Sequence, residues 1–70
     1  IDPKTMLQEY SLKKYKLLPV YKLLTTTGPK HKPFFKVCVK VKNSKIYNAI
    51  GNSKKEAEQK AAKIFLKEIG

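Results

Sequence analysis

Between Phe35 and Lys42 the chain alternates. Phe35, Val37, Val39 and Val41 fall on one side, and Lys36, Cys38, Lys40 and Lys42 on the other. A period of two points successive side chains to opposite faces of a strand, so this segment is a half-buried β-strand and its valine face needs a cover. The whole chain has 70 residues with which to supply that cover. A chain this short makes one domain and buries about 60% of the surface that its unfolded form exposes. The cover must therefore be about two helices laid on a small sheet, with little room for a deep substrate pocket.

Both helices have local signals. Asp2 is a good N-cap and Pro3 suits a first helical turn, which predicts a helix from about Pro3 to Tyr15. On it Leu7, Tyr10 and Lys14 share one face with Met6 beside them, while Thr5, Gln8, Glu9 and Leu12 share another at spacings of three, four and seven. Pro19 blocks continuation. Near the other end Ser53 is an N-cap and Glu56, three residues on, completes a capping box. The second helix is expected from about Lys54 to Glu68. Its buried stripe is Ala57, Ala61, Ile64, Phe65 and Ile69, and Lys60, Lys63 and Lys67 face water.

Between the helices, Val20 to Thr25 reads as a first strand with Tyr21 and Leu23 on one side. Thr26 to Pro33 reads as a loop holding Gly28, two prolines and His31 among lysines. Asn43-Ser44 makes a turn, Lys45 to Ile50 a third strand, and Gly51-Asn52 ends the sheet. Connections this short cannot cross over to a parallel partner, so the sheet is antiparallel. The fold class is α+β: one domain over residues 1–70, in the order α-β-β-β-α, with three antiparallel strands covered on one face by two helices. Phe35 is expected in the core and Phe34 beside it at the surface. The uncovered face, with Lys22, Lys36, Cys38 and Lys40, is expected to be solvated.

Sixteen basic residues oppose five acidic ones, for a net charge of +11, and every basic residue is lysine. Such a field attracts polyanions. Lysine is a compact point charge suited to phosphates, whereas arginine is the usual bidentate reader of guanine edges, so the composition favours a backbone over a base sequence. No apolar run approaches the roughly 20 residues that span a bilayer. The first apolar residues are scattered among Lys4, Gln8 and Glu9, unlike a signal peptide. One cysteine, Cys38, permits no internal disulfide and suits a reducing, cytoplasmic setting. A start at Ile1 rather than Met leads us to expect a piece of a longer protein.

Three motifs stand in this order. Thr5-Met6-Leu7-Gln8-Glu9-Tyr10 lies in the first helix. Gly28-Pro29-Lys30-His31 is followed four residues later by Phe35. Ser53-Lys54-Lys55-Glu56-Ala57-Glu58-Gln59 opens the last helix. Together they resemble the double-stranded-RNA-binding domain family over nearly the whole chain, most of all the version at the C-terminus of bacterial ribonuclease III. The resemblance implies duplex RNA as partner, held by shape with little reading of sequence. A-form RNA hides its bases in a narrow major groove and displays 2′-hydroxyls in a shallow minor groove. Domains of this kind span about 16 base pairs, touching two successive minor grooves and the phosphates between.

Carried over residue by residue, the resemblance implies three contact regions. Thr5, Gln8 and Glu9 on the first helix would meet 2′-hydroxyls and base edges, with Leu12 one turn on, where the family often has a polar group. Pro29, Lys30, His31 and Lys32 would enter the second minor groove and extend the phosphate track. Ser53, Lys54 and Lys55 would hold phosphates at a helix N-terminus, whose free N–H groups already favour anions. Glu58 stands where the family often carries a further lysine. Each region has a plainer reading as well: a solvated helix face, a surface turn and a chance lysine pair.

Catalysis is not expected within the chain. The carboxylates are Asp2, Glu9, Glu56, Glu58 and Glu68, and Glu56 and Glu58, two apart on a helix, point in different directions. Ribonuclease III chemistry needs acidic residues around a divalent metal, and the resemblance puts that metal, magnesium, in a separate N-terminal domain. No cofactor and no small-molecule substrate is expected here, and any homodimer of the parent protein would form through another domain. The lone His31 makes no metal site and Cys38 has no histidine partner in sequence. The runner-up is a protein-interaction or dimerisation module of the same fold, against which the presence of Lys54 and Lys55 argues. Charge alone would also permit generic polyanion binding.

Overall fold

The computed structural model describes residues 2–70, which form α1 (Pro3–Tyr15), β1 (Val20–Thr27), β2 (Phe34–Lys40), β3 (Tyr47–Gly51) and α2 (Lys54–Ile69) in the predicted order. The strands form one antiparallel sheet in the order β1-β2-β3. α1 begins where Asp2 caps it: the Asp2 carboxylate accepts from the Thr5 amide at 3.3 Å and from the Thr5 hydroxyl at 2.6 Å. It ends at Lys16, whose left-handed backbone (φ 60°) turns its N–H onto the Leu12 carbonyl. Ser11, fully buried, donates its hydroxyl to the Leu17 carbonyl and so pins the link between α1 and β1.

The odd residues of β2 point at the helices. Val37 and Val39 are buried, and Val41, just past the strand, is buried with them. Leu7, Val39, Val41, Ala61, Ala62 and Phe65 form the core, with Tyr10, Tyr15, Tyr21, Tyr47, Ala49 and Leu66 packed against it. The Phe65 ring meets Tyr47 edge-on at 5.0 Å between centroids. At the strand end Gly51 faces the first turn of α2 so closely that a Cβ there would stand 2.6 Å from the Ala57 amide nitrogen. The contact leaves no room for a side chain, and glycine has none.

Several expectations need correction. β1 runs on to Thr27, since the threonines keep pairing with β2 after a register shift between Leu23 and Thr25. β2 ends at Lys40 rather than Lys42, and β3 starts at Tyr47 rather than Lys45. The Ser44 hydroxyl accepts from the Val41 amide at 3.0 Å and donates to the Lys45 carbonyl at 2.8 Å, taking backbone groups that a longer ladder would need. On α2, Ala62 is buried while Ile64 and Ile69 are 40% and 43% exposed. The small alanines 57, 61 and 62 bring the helix close, and the close approach selects its inward face. On α1 the inward line runs through Leu7 and Ser11, and Lys14 lies outside with its ammonium 3.4 Å from the Tyr10 hydroxyl. Phe35 is half-buried, because it sits at the end of the sheet opposite Gly51, beyond the core cluster. Cys38 is buried on the open face, and Lys36 beside it is half-buried. The groove over the thiol is walled by Val20, Lys22, Lys40, Lys42 and Ile46, whose apolar stems shield it.

The Tyr21 hydroxyl is buried with no hydrogen-bond partner among the described residues. Burial pushes its pKa up to about 12, with the Glu58 and Asp2 carboxylates adding to the effect. A buried hydroxyl without a partner costs about 1–3 kcal/mol, so Tyr21→Phe should leave stability unchanged or raise it by about 1 kcal/mol. Urea denaturation checks this. A clear loss of stability would mean that the hydroxyl is bonded in solution.

Candidate nucleic-acid interface

The polar stripe of α1 is exposed at Thr5, Gln8 and Glu9, and Leu12, at its end, is 39% exposed. The Thr5 hydroxyl gives its hydrogen to Asp2 and keeps its lone pairs; that bond holds the Asp2 carboxyl below the usual carboxylate value. Gln8 and Glu9 make no side-chain hydrogen bond or ion pair among the described residues, so both remain able to bind elsewhere. The position of this stripe is set by Lys4. Its ammonium meets the Glu58 carboxylate at 2.6 Å, its backbone N–H donates to Gln59 Oε1 at 3.1 Å, and its charge stands 5.0 Å from the Tyr21 ring centroid. Glu58 is thus neutralised within the fold.

The loop of residues 28–33 leaves β1 through Gly28, whose φ of 88° lies in the left-handed region. A Cβ there would meet the half-exposed Phe34 ring at 3.0 Å, so the ring packs on bare backbone. The Lys32 amide donates to the Pro29 carbonyl at 3.1 Å, closing a tight turn with Lys30 and His31 at its tip. Pro29, Lys30, His31 and Lys32 are all exposed.

At the same end of the sheet α2 begins. Ser53 Oγ accepts from the Glu56 amide at 3.0 Å, which commits one lone pair of Ser53 to capping. The expected capping box forms with a shift. The Glu56 carboxylate takes the amide of Asn52, one residue before Ser53. That hydrogen bond, helped by Lys60 3.5 Å away, holds the Glu56 carboxyl below its ordinary value, against a weaker opposing effect of burial. Lys54 and Lys55 are exposed and have no ion-pair partner among the described residues. Two unneutralised cations therefore stand where the free N–H groups of the helix already make the potential positive.

A depressed folded-state value means that ionised Glu56 stabilises the fold above its ordinary value of 4.5, and that this contribution fades as pH falls through the depressed value. Urea midpoints taken from about pH 6 to about pH 3 should fall for the native chain and fall less steeply for Glu56→Gln. Equal slopes would show that the carboxylate is not held by the Asn52 amide.

Two joins were missed in the sequence. Lys4 ties α1 to α2 across 54 positions, and Asn52 Nδ2 donates to the Pro33 carbonyl at 3.2 Å, tying the start of α2 to the loop. The second carried a faint signal, since asparagine between a strand and an N-cap tends to bond nearby backbone. Among the described residues no three His, Cys, Asp or Glu gather as a metal-holding group, and no helix is long and apolar enough to cross a membrane.

The double-stranded RNA binding motif family matches residues 3–69. The chain is 62% identical over 69 residues to Ribonuclease 3 of Pelagibacter ubique, covering 99% of this chain and 31% of that protein. It is 47% identical over 68 residues to Ribonuclease 3 of Anaplasma marginale, covering 97% and 29%. It thus spans under a third of the length of these relatives. Among solved structures it is similar to both dsRBDs of DRB4 with their linker, at TM-score 0.74 and 36% identity, covering 99% of this chain and 44% of that one. It is also similar to the first dsRBD of HYL1, at TM-score 0.69 and 41% identity, covering 90% and 89%.

Proposed function

Because this chain belongs to the double-stranded-RNA-binding domain family, we propose that it holds duplex RNA by shape, through 2′-hydroxyls and phosphates, as the RNA-holding part of a ribonuclease 3. The observation that carries this reading is the pair Lys54 and Lys55, exposed, without counter-ion, at the positive end of α2. Lysines there oppose the helix dipole, and phosphates relieve the opposition. Gln8 and Glu9, with the remaining lone pairs of Thr5, supply donors and acceptors for one minor groove, and Leu12 adds an apolar edge to that contact. The turn of Pro29, Lys30, His31 and Lys32 supplies the second groove. A duplex about 16 base pairs long accommodates both.

The test is a fluorescence-anisotropy titration with a duplex RNA of about 20 base pairs, enough for one full footprint. Duplex DNA and single-stranded RNA of the same sequence run beside it over a salt series. Clear preference for duplex RNA supports the reading, and the slope of affinity against salt counts the phosphates engaged. Equal binding of all three, abolished by salt, would reduce the chain to a polycation, and no binding would remove RNA from its function.

The parent protein, on this reading, is a cytoplasmic endoribonuclease that processes ribosomal and other structured RNA. Its cutting site, its magnesium and its homodimer contact lie in another domain. The support is the identity to two proteins called Ribonuclease 3, each covered over under a third of its length.

A further inference from the structure

We propose that Asn52 is a positioning residue for RNA binding, holding the loop of residues 28–33 and the start of α2 at one spacing before RNA arrives. This rests on the reading above, in which that loop and that helix end contact one duplex. Asn52 is the single residue between the last residue of β3, Gly51, and the N-cap Ser53. Its backbone N–H donates to the Glu56 carboxylate, which fixes the residue to the first turn of α2. Its side-chain amide donates to the Pro33 carbonyl at 3.2 Å, 19 positions away. Asn52 is thus gripped from the helix side and grips the loop in turn.

The loop has few other restraints. Its internal backbone bond is Lys32 to Pro29, and its end, Pro33, has no N–H to give. The Phe34 ring packs on Gly28 where the loop begins, and the Pro33 carbonyl, where it ends, takes the bond from Asn52. α1 and α2 are already joined by Lys4 through Glu58 and Gln59. The bond from Asn52 adds the remaining join, so all three contact regions become one body. A duplex presents its second minor groove and the phosphates before it at a fixed interval. A loop that must find that spacing on binding loses conformational freedom then, whereas a loop already held does not. The Asn52–Pro33 bond is exposed, so its loss costs folding only modestly, and the ordering of the loop is read in affinity as well.

Asn52→Ala should weaken duplex-RNA binding about 5-fold, of the order expected for one exposed hydrogen bond. Its melting temperature should stay within about 4 °C of the parent. In the free protein, backbone 15N order parameters at Lys30, His31 and Lys32 should fall, while those of Lys54 and Lys55 stay the same. Unchanged loop order overturns the proposal. If affinity still falls in that case, Asn52 touches RNA itself instead of positioning the loop. Looser loop order with unchanged affinity overturns it too, since pre-setting the loop would then not matter to RNA. Lys54→Ala with Lys55→Ala runs alongside: if that variant also binds normally, the RNA-contact reading of α2 fails, and if it binds poorly while Asn52→Ala binds normally, the positioning role alone fails.

Discussion

Replacing Phe65 with alanine should cost about 3–5 kcal/mol of stability, the range for deleting a buried aromatic ring. Phe65 is 1% exposed and sits where α2 meets both the sheet and α1, with Tyr47 at 5.0 Å and Tyr10 at 6.4 Å between ring centroids. Its other neighbours in the core are Leu7, Val39, Val41 and small alanines. Alanines on the same helix cannot swing in to fill the space, so most of the cavity persists. A domain of this size is stable by roughly 4–10 kcal/mol, so the variant should be marginal or unfolded at 37 °C. Urea denaturation followed by circular dichroism reads the loss directly. Phe35→Ala is the internal comparison. The alternation made Phe35 a core residue, but it is half-buried at the end of the sheet, so its loss should be the smaller. A loss at Phe65 below about 2 kcal/mol, or a larger one at Phe35, would show that the core centres elsewhere.

That contrast marks how far the sequence was legible. Features set by neighbours a few residues apart could be read: the Asp2 and Ser53 caps, the period-two run in β2, and both helix starts. A cap or an alternation acts within one or two turns of chain, where identity dictates geometry. Ranking within an apolar pattern could not be read. Ile64 and Ile69 outweigh Ala62 on any hydrophobic scale, yet Ala62 is buried, because the approach of α2 to its neighbours decides which side faces in. Cys38 alternates with lysines and so looked solvated, but lysine stems close over it. The late start of β3 was hidden for a related reason: the Ser44 hydroxyl competes for backbone that the β pattern assigns to a strand. At the candidate interface the exposed polar residues were visible as a set, and all of them are exposed. The joins that relate one patch to another, Lys4 to Glu58 and Asn52 to Pro33, depend on the folded path and have no local pattern.

Exchanging Lys54 and Lys55 together for alanine should lower affinity for duplex RNA on the order of 100-fold, taking about 1.5 kcal/mol for each lost bond to a charged group. It should do so uniformly across RNA sequences, because phosphates carry no sequence information. The slope of log affinity against log salt should become shallower by about 2, one for each phosphate no longer neutralised. Folding should respond in the opposite direction. Both lysines are exposed, unpaired among the described residues and set against the positive end of α2. Each opposes the helix dipole by about 0.3–1 kcal/mol at low ionic strength. Removing them leaves the Ser53 cap and the Glu56 carboxylate in place, so the variant should melt at or above the parent temperature while binding RNA poorly. A residue pair kept only for the fold would lose stability on removal, and a chance pair on a lysine-rich surface would change neither property. A higher melting point together with weaker binding and a shallower salt slope is the outcome that a phosphate clamp alone predicts, and unchanged affinity at moderate salt would remove this helix end from the interface.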